Sequence, residues 1–303
     1  MKRSSLVSTE AVSPRFRELE LWPTRDAVAA MLEAQLAAAA AVAGQADAIA
    51  AAADAAAARL RDPAGRLIYV GAGTSGRLAV LDGVELGPTF GWEEHRTRYL
   101  LAGGPEAMMR GVEGAEDDAD AAERAVAEAE VGLADVVIGV AASGRTPFTL
   151  AAVRAAAGSG ALTVALAGSS GSPLLEAAAH PLLVETGAEV LAGSTRMKAG
   201  TAQKIALNTL STAIMMRLGY VHDGLMVGMR PTNGKLRRRA AEMVARIADV
   251  EPGAAAAALE RAGGRIKLAV LVARGLPPGE GAVLLAETGD DLRAALARIG
   301  PGA

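Results

Sequence analysis

The sequence contains no cysteine and few aromatic residues, and these absences exclude several kinds of protein. None of the 303 residues is Cys, so a disulfide framework, a thiolate metal site and a cysteine nucleophile are excluded. Aromatic residues make up 3% of the chain and the net charge is −3. The chain therefore offers little surface for stacking nucleobases and no basic footprint for a phosphate backbone. Both observations argue against a nucleic-acid partner.

Long apolar runs are also missing. The segment 1–16 has two early basic residues but lacks the continuous apolar core of a secretory signal. No stretch reaches the roughly 18 uncharged apolar residues that a membrane span requires. We therefore expect no membrane partner and a cytoplasmic location.

Motifs for metals, nucleotides and dinucleotides are absent or incomplete. The histidines, His95, His180 and His222, are isolated and lack metal-ligand spacing. No turn carries the Gly-Lys-Ser/Thr of a P-loop, which disfavours nucleotide hydrolysis. Gly71–Gly76 fits the Gly-x-Gly-x-x-Gly pattern, but the next predicted strand ends in Leu101–Gly104 without an acidic residue for a ribose. We therefore expect neither a metal nor a nicotinamide cofactor.

The chain is rich in apolar residues, many of them alanine, and in its middle part short apolar runs alternate with helical stretches. Hydrophobic residues make up 51% of the sequence, enough for a sizeable core. Residues 1–23 are interpreted as an irregular arm, after which Thr24 is predicted to cap an alanine-rich helix with a break near Gly44. Short apolar runs then alternate with helical stretches such as 119–130 and 146–157, which predicts βαβ units. The predicted strands are 66–71, 97–102, 135–141, 161–167 and 181–186.

These patterns predict an α/β fold in three layers, with a doubly wound, mostly parallel sheet. N-terminal helices precede the sheet, and a small C-terminal helical subdomain follows it, with breaks at its Pro and Gly clusters. The predicted division is 1–60 for the arm and first helices, 61–234 for the sheet domain and 235–303 for the helical subdomain.

Four turns rich in Ser, Thr and Gly are the candidate binding elements. Ser75–Arg77 and Ser143–Arg145 repeat Ser-Gly-Arg after two strands, which predicts two equivalent turns with the same chemistry. Gly168–Ser172 follows a third strand, and Gly193–Arg196 precedes a long helical run from Met197. Ligands of parallel sheets bind at the carboxyl ends of the strands, where glycine-rich turns and helix N-termini favour anions. The turns therefore predict a phosphorylated small-molecule substrate, most simply a phosphosugar.

Three carboxylates close to these turns are candidate acid or base catalysts. Glu85 lies where the first helix of the sheet domain is predicted to end, and Glu113 and Glu116 follow the second strand. A carboxyl group near a bound substrate can transfer protons. The residue pattern alone does not choose among them.

Several sequence blocks resemble the signatures of N-acetylmuramic acid 6-phosphate etherases, a family of the sugar-isomerase (SIS) superfamily. The resemblance extends over nearly the whole chain, and its longest and most specific block is Gly193–Lys204. The other matching blocks are Gly65–Leu78, Glu113–Asp117, Ala141–Pro147, Asn208–Thr212 and Thr232–Leu236, and Thr9-Glu10 with Ser13-Pro14 is similar to the family's N-terminal start.

The resemblance implies an SIS-type domain and a reaction without a cofactor. It implies cleavage of the D-lactyl ether of N-acetylmuramate 6-phosphate by β-elimination and water addition, with Glu85 as the acid and Glu116 as the base. It also implies a homodimer with sites near the interface. We expect Ser75, Ser143 and Thr146 to hold the phosphate, with help from the amides of Gly76 and Gly144. The full expected substrate-binding set is Thr74, Ser75, Gly76, Ser143, Gly144, Arg145, Thr146, Ser194, Thr195 and Lys198.

The chain departs from the family pattern around Glu85. The family reads Leu-Asp-Ala-Ser-Glu-Cys-Pro-Pro-Thr, whereas Leu81–Thr89 reads Leu-Asp-Gly-Val-Glu-Leu-Gly-Pro-Thr. Val84 thus replaces a hydroxyl-bearing residue. A regulatory branch of the superfamily binds phosphosugars without catalysis, through longer chains with tandem domains. The length for one SIS domain and the presence of both glutamates favour the enzyme.

Overall fold

The computed structural model describes residues 10–300, and its centre is a five-stranded parallel sheet. The strand order is β2-β1-β3-β4-β5, and every neighbouring pair is parallel. This confirms the predicted α/β class; the fifth strand ends three residues earlier than predicted. The strands are β1 Leu67–Gly71, β2 Thr97–Leu101, β3 Val136–Ala141, β4 Leu162–Ala167 and β5 His180–Leu183.

Helices lie on both faces of the sheet because the buried strands carry apolar side chains on both sides. Ile68, Val70 and Val137 form one cluster with the helices α5 and α6. The alternate residue Tyr69 points to the opposite face, where it donates a hydrogen bond to Asp82 of α3. The helices of the sheet region are α3 Gly73–Val84, α4 Leu86–Phe90, α5 Ala119–Glu128, α6 Pro147–Gly158, α7 Pro173–Ala177 and α8 Lys198–Arg217, preceded by α1 Thr24–Ala43 and α2 Ala46–Leu60.

The described part of the predicted irregular arm, residues 10–23, contains regular turns. Two short 3₁₀ turns, Pro14–Phe16 and Leu19–Leu21, precede α1; Thr9 of the family-like start lies outside the described residues. The prediction that Thr24 caps α1 is wrong, since Thr24 is already helical and Pro23 occupies the cap. The Pro23 carbonyl accepts hydrogen bonds from the amides of Asp26 (2.9 Å) and Ala27 (3.0 Å), and thereby starts the helix.

Helix α1 is long and apolar, and only a small part of it is buried. An 18-residue window within Thr24–Ala43 has a mean hydropathy of 1.4, so by length and composition alone this helix could cross a membrane. Its sequence still carries Asp26 and Glu33, and Glu33 pairs with Arg15. Helices of proteins that never enter a membrane pass the same test.

Residue contacts group the chain into two compact units. The first comprises Met1–Gly83 and His95–Ala213, and the second comprises Val84–Glu94 and Ile214–Ala303. This grouping by contacts differs from the predicted three-part division, because the short segment after α3 packs with the C-terminal helices. Within the second unit, a Cβ added to Gly91 would overlap the carbonyl oxygen of Gly228, and a Cβ added to Gly228 would overlap the carbonyl oxygen of Phe90.

The second unit is a helical bundle with its own core. Its helices surround a buried cluster that includes Ala269, Val270 and Leu271. Pro252 and Pro278 are each the first residue of a helix, where the missing N–H of proline costs nothing. The predicted helical nature and breaks of this region are confirmed. The helices are α9 Gly234–Ala248, α10 Pro252–Arg261, α11 Ile266–Ala273, α12 Pro278–Glu287 and α13 Leu292–Ile299.

Candidate functional site

The first candidate binding turn connects β1 directly to α3. The Gly76 amide donates to the Ala72 carbonyl (3.0 Å), so the helix begins within two residues of the strand. A Cβ added to Gly71 would lie 2.7 Å from the Gly76 Cα, which shows how closely the first turn of α3 packs on the strand end. Ser75 is buried in this turn and Thr74 is half-buried. Both hydroxyl-bearing residues therefore lie at the carboxyl end of β1.

The second turn, Ser143–Thr146, connects β3 to α6 at the same edge. Gly144 has a φ of +64°, a conformation that glycine adopts without steric cost. The Ser143 Oγ accepts a hydrogen bond from the Arg145 amide (3.2 Å), which leaves its proton available to donate. Thr146 precedes Pro147, the first residue of α6, and its side chain does not cap that helix. Two half-buried hydroxyls are thus positioned next to β1.

The two Ser-Gly-Arg copies are not structurally equivalent, contrary to the sequence prediction. Ser75 lies inside a helical turn, whereas Ser143 lies in a loop that lasts until Pro147 permits the helix to start. The amides of Gly76 and Gly144, which were predicted to help hold the phosphate, have partners within the protein in this conformation. These amides already donate to the carbonyls of Ala72 and Ala141. The hydroxyl groups, rather than these two amides, are the donors available to an anion.

The third turn contributes residues that were not in the predicted site. A Cβ on Gly144 would overlap the Ser172 Oγ, so Ser172 lies directly behind the second turn. The hydroxyls of Ser169, Ser172 and Thr186 are buried and have no hydrogen-bond partner within residues 10–300. Because buried hydroxyls normally have a hydrogen-bond partner, these three are free to bond a ligand or water. The Ser-rich composition of Gly168–Ser172 was the available signal for Ser169 and Ser172.

The fourth turn, Gly193–Arg196, precedes α8, and the start of α8 lies beside the start of α3. The Thr195 carbonyl accepts a hydrogen bond from the Gly200 amide (2.8 Å). A Cβ on Gly200 would lie 3.7 Å from Thr74 Cγ2. Ser194 and Thr195, both half-buried, therefore join Thr74 and Ser75 at the same edge of the sheet.

Lys198 differs from the other predicted binding residues because its ammonium group is bonded inside the protein. Its side chain is buried, and Nζ donates to the carbonyls of Thr186 (3.0 Å) and Ala188 (2.5 Å). Burial lowers the pKa of the Lys198 ammonium, and the nearby Glu189 carboxylate acts in the opposite direction. Two of its three donors are thus committed to the protein.

Glu189 is a buried carboxylate that the sequence reasoning did not single out. Its two oxygens accept hydrogen bonds from the amides of Lys198 (3.0 Å) and Ala199 (2.8 Å) at the start of α8. A carboxylate there satisfies helix donors that have no partner within the helix and complements the helix dipole. Because nine or more residues separate the partners, no local sequence pattern pointed to this contact.

The two predicted catalytic glutamates are both exposed in the single chain. Glu85 follows the last residue of α3, as predicted, and Glu116 lies in a 3₁₀ turn, Ala115–Asp117, after β2. Arg77 stabilises the backbone leading to Glu116, since it donates to the carbonyls of Ala107 (2.7 Å) and Arg110 (3.0 Å). The arginine of the first Ser-Gly-Arg copy therefore has a structural role.

A buried polar cluster lies three residues before Glu85. Asp82 accepts hydrogen bonds from the Tyr69 hydroxyl (3.0 Å) and the Asn208 amide (2.6 Å). Burial raises the pKa of Asp82, and the hydrogen bonds from Tyr69 and Asn208 act against that rise. Sequence reasoning missed Asp82, although its helical spacing from Ser75 and Ala79 marks the buried face of α3.

Gly83, one of the positions at which the chain departs from the family pattern, packs against two aromatic rings. Tyr69 and Tyr99 stack with ring centroids 6.1 Å apart. A Cβ on Gly83 would lie 2.7 Å from Tyr99 Cε1 and 2.8 Å from Tyr69 Cε2. Such distances are too short for carbon atoms in contact. Gly83 is therefore required by the neighbouring tyrosine pair.

The first unit thus gathers small hydroxyl-bearing residues at the carboxyl edge of β1, β3 and β4. Hydroxyl donors without bulky neighbours suit the oxygen atoms of a phosphate ester. Within residues 10–300, no group of three His, Asp or Glu side chains could hold a metal ion.

Comparison with family models identifies the domain. The model of the glucokinase regulatory protein N-terminal SIS domain matches residues 42–157, and the SIS domain model matches residues 119–213. A solved Bacteroides fragilis structure, described as a phosphosugar isomerase involved in capsule formation, superposes with a TM-score of 0.50. It is 17% identical and covers 67% of this chain and 95% of its own, so the likeness shows the fold alone.

Curated relatives match nearly the whole chain. The N-acetylmuramic acid 6-phosphate etherase of Deinococcus radiodurans is 48% identical over 95% of this chain and 94% of its own length. The enzyme of the same name from Streptomyces coelicolor is 46% identical, with coverage of 96% and 94%. Identity of this level over nearly the full length of both chains shows that the chain belongs to the N-acetylmuramic acid 6-phosphate etherase family.

Proposed function

We propose that this chain is a carbon–oxygen lyase that cleaves the D-lactyl ether of N-acetylmuramic acid 6-phosphate. The products are N-acetylglucosamine 6-phosphate and D-lactate. The observation that carries the proposal is the near-full-length similarity to etherases at 42–49% identity. The hydroxyl-rich edge of the sheet supports it, because that edge suits the 6-phosphate of such a substrate.

The proposed mechanism divides two proton transfers between two glutamates. In the ring-opened sugar the C1 aldehyde acidifies the C2 proton, which Glu116 removes. The C3–oxygen bond then breaks, a C2–C3 double bond forms, and Glu85 protonates the departing lactate oxygen. Water adds back its hydroxyl at C3 and its proton at C2. Carboxyl groups with opposite protonation states are suited to this sequence.

The experiment that tests the function is incubation with N-acetylmuramate 6-phosphate in ¹⁸O-labelled water. The lyase releases D-lactate, and elimination with water addition puts solvent oxygen at C3 of the amino sugar. A regulatory protein of the superfamily would instead bind the phosphosugar and never release lactate. Label in the lactate would contradict the elimination route.

Ser143→Ala tests the proposed phosphate site. We expect KM for the phosphorylated substrate to rise about tenfold, if one hydrogen bond to a charged group contributes roughly 1.5 kcal/mol. The matched control is Ser159→Ala at the other end of the same helix, where the exposed hydroxyl bonds only the Ala155 carbonyl. Steady-state kinetics of D-lactate release measure both, and an unchanged KM in Ser143→Ala would remove Ser143 from the site.

We further propose a cytoplasmic homodimer that uses the exposed face of α1. Val28, Leu32 and Leu36 recur every four residues on this helix, and their exposed fractions are 43%, 65% and 71%. Such a stripe on one helical face is typical of a protein–protein contact.

A further inference from the structure

The second unit contains a cavity whose lining differs from the set of predicted etherase site residues. Its volume is about 870 Å³, within the range of roughly 300–1,000 Å³ that is usual for small-molecule sites. All of its lining residues belong to the second unit. Neither the predicted catalytic glutamates nor the predicted substrate-binding residues line it.

The floor of this cavity is apolar and partly aromatic. Val227, Met229, Leu259 and Ile266 are buried side chains of the core that contribute to the lining, and the ring of Tyr220 adds an aromatic surface. An apolar floor of this kind favours a ligand with a ring or carbon skeleton over a bare inorganic ion.

The rim of the cavity carries three arginines, Arg230, Arg237 and Arg265, which outnumber its two exposed glutamates, Glu93 and Glu260. Arg237 and Arg265 line the cavity, and neither forms an ion pair within the described part of the chain. Arg230 has only a long contact with Glu93 (3.9 Å). Arginine binds phosphate oxygens through its planar fork of N–H donors. The rim is therefore suited to an anionic group.

The start of α11 opens on the same cavity. Gly263 and Gly264, which follow α10, have φ values of +62° and +80°. Arg265 comes next, as the residue before α11, and it lines the cavity. No side chain caps α11, and an uncapped helix N-terminus attracts anions. Lys267 does not add to this charge, because its Nζ pairs with Asp290 Oδ2 (2.6 Å).

We propose that this cavity is a second binding site, for a phosphorylated small molecule with a sugar-sized body. The phosphate lies between Arg237, Arg265 and the N-terminus of α11, and the body of the ligand packs on the apolar floor. The proposal goes beyond the etherase reaction and does not depend on it, since it uses none of the residues assigned to catalysis.

A tryptophan beside the cavity allows a direct test by fluorescence. Trp92 stacks edge-on against Tyr220, with ring centroids 5.9 Å apart, and the only other tryptophan is Trp22. In a Trp22→Phe background the emission of Trp92 is titrated with glucose 6-phosphate, with glucose and with inorganic phosphate. We expect a saturable change with glucose 6-phosphate, at a lower half-saturation concentration than with inorganic phosphate, and none with glucose.

Variants in the same background assign the signal to the cavity. Arg237→Gln combined with Arg265→Gln should raise the half-saturation concentration at least about tenfold, since two charge-assisted contacts are lost. Arg261→Gln, an exposed arginine outside the lining, and Ser143→Ala should leave it unchanged. The proposal is overturned if no saturable change occurs, if the double variant binds as well as the parent, if Ser143→Ala abolishes the signal, or if inorganic phosphate binds as well as glucose 6-phosphate.

Discussion

Replacing Glu116 with Gln is expected to abolish both lactate release and exchange of the substrate's C2 hydrogen with solvent. Glu85→Gln should also lose lactate release but should still exchange the C2 hydrogen, because its proposed base is intact. A positioned acid or base contributes roughly 10²–10⁴-fold, so either change should lower kcat by that order. Proton NMR of the substrate in heavy water separates the two outcomes.

Glu113→Gln is the matched control for this pair. Glu113 is exposed, lies in the same segment as Glu116 and has no assigned role. If Glu116→Gln exchanged the C2 hydrogen at the wild-type rate, the base would be misassigned, and loss of exchange in Glu113→Gln would identify its replacement.

Glu189→Ala is expected to lower the melting temperature more than any surface substitution. The change leaves two amide donors at the start of α8 without their carboxylate and leaves the Lys198 ammonium buried beside no opposite charge. Removing one partner of a buried charge pair costs about 3–5 kcal/mol. For a chain of this size the melting temperature should fall by roughly 5–8 °C, as measured by circular dichroism.

A second background tests the reason for this loss. The Lys198→Met background lacks the buried ammonium charge. Glu189→Ala should therefore lower the melting temperature less in that background than in the wild type. Glu185→Ala, which changes an exposed glutamate nearby, should leave the melting temperature within about 1 °C. Equal losses from Glu189→Ala in both backgrounds would show that Lys198 does not depend on Glu189.

Local patterns predicted the elements of the fold better than they predicted contacts between them. The strands and the turns at their carboxyl ends follow from short apolar runs that end in Gly, Ser and Thr. The Ser75 and Ser143 turns differ because their helices start at different distances from the strand. After Ser143, helix α6 starts only at Pro147. At Ser75, the close approach of Gly71 and Gly76 lets helix α3 start almost directly after the strand.

The parts of the site that sequence reasoning missed depend on distant partners. Asp82 is buried because Tyr69 and Asn208 satisfy its oxygens, and Asn208 is 126 positions away along the chain. Lys198 carries a charge that the sequence pattern assigns to the substrate, yet two carbonyls bind it inside the protein. Such pairings become visible only when the elements have packed.

The packing of Gly83 against Tyr69 and Tyr99 has a consequence for how this lineage could have diverged. A chain with the family's usual alanine at position 83 has no room for both rings as they stand. We therefore expect positions 69, 83 and 99 to covary among relatives, with a methyl group at position 83 only where one of the two rings is absent or displaced. Gly83 lies two residues before Glu85, so the two tyrosine rings restrict which side chains the backbone leading to this glutamate can carry.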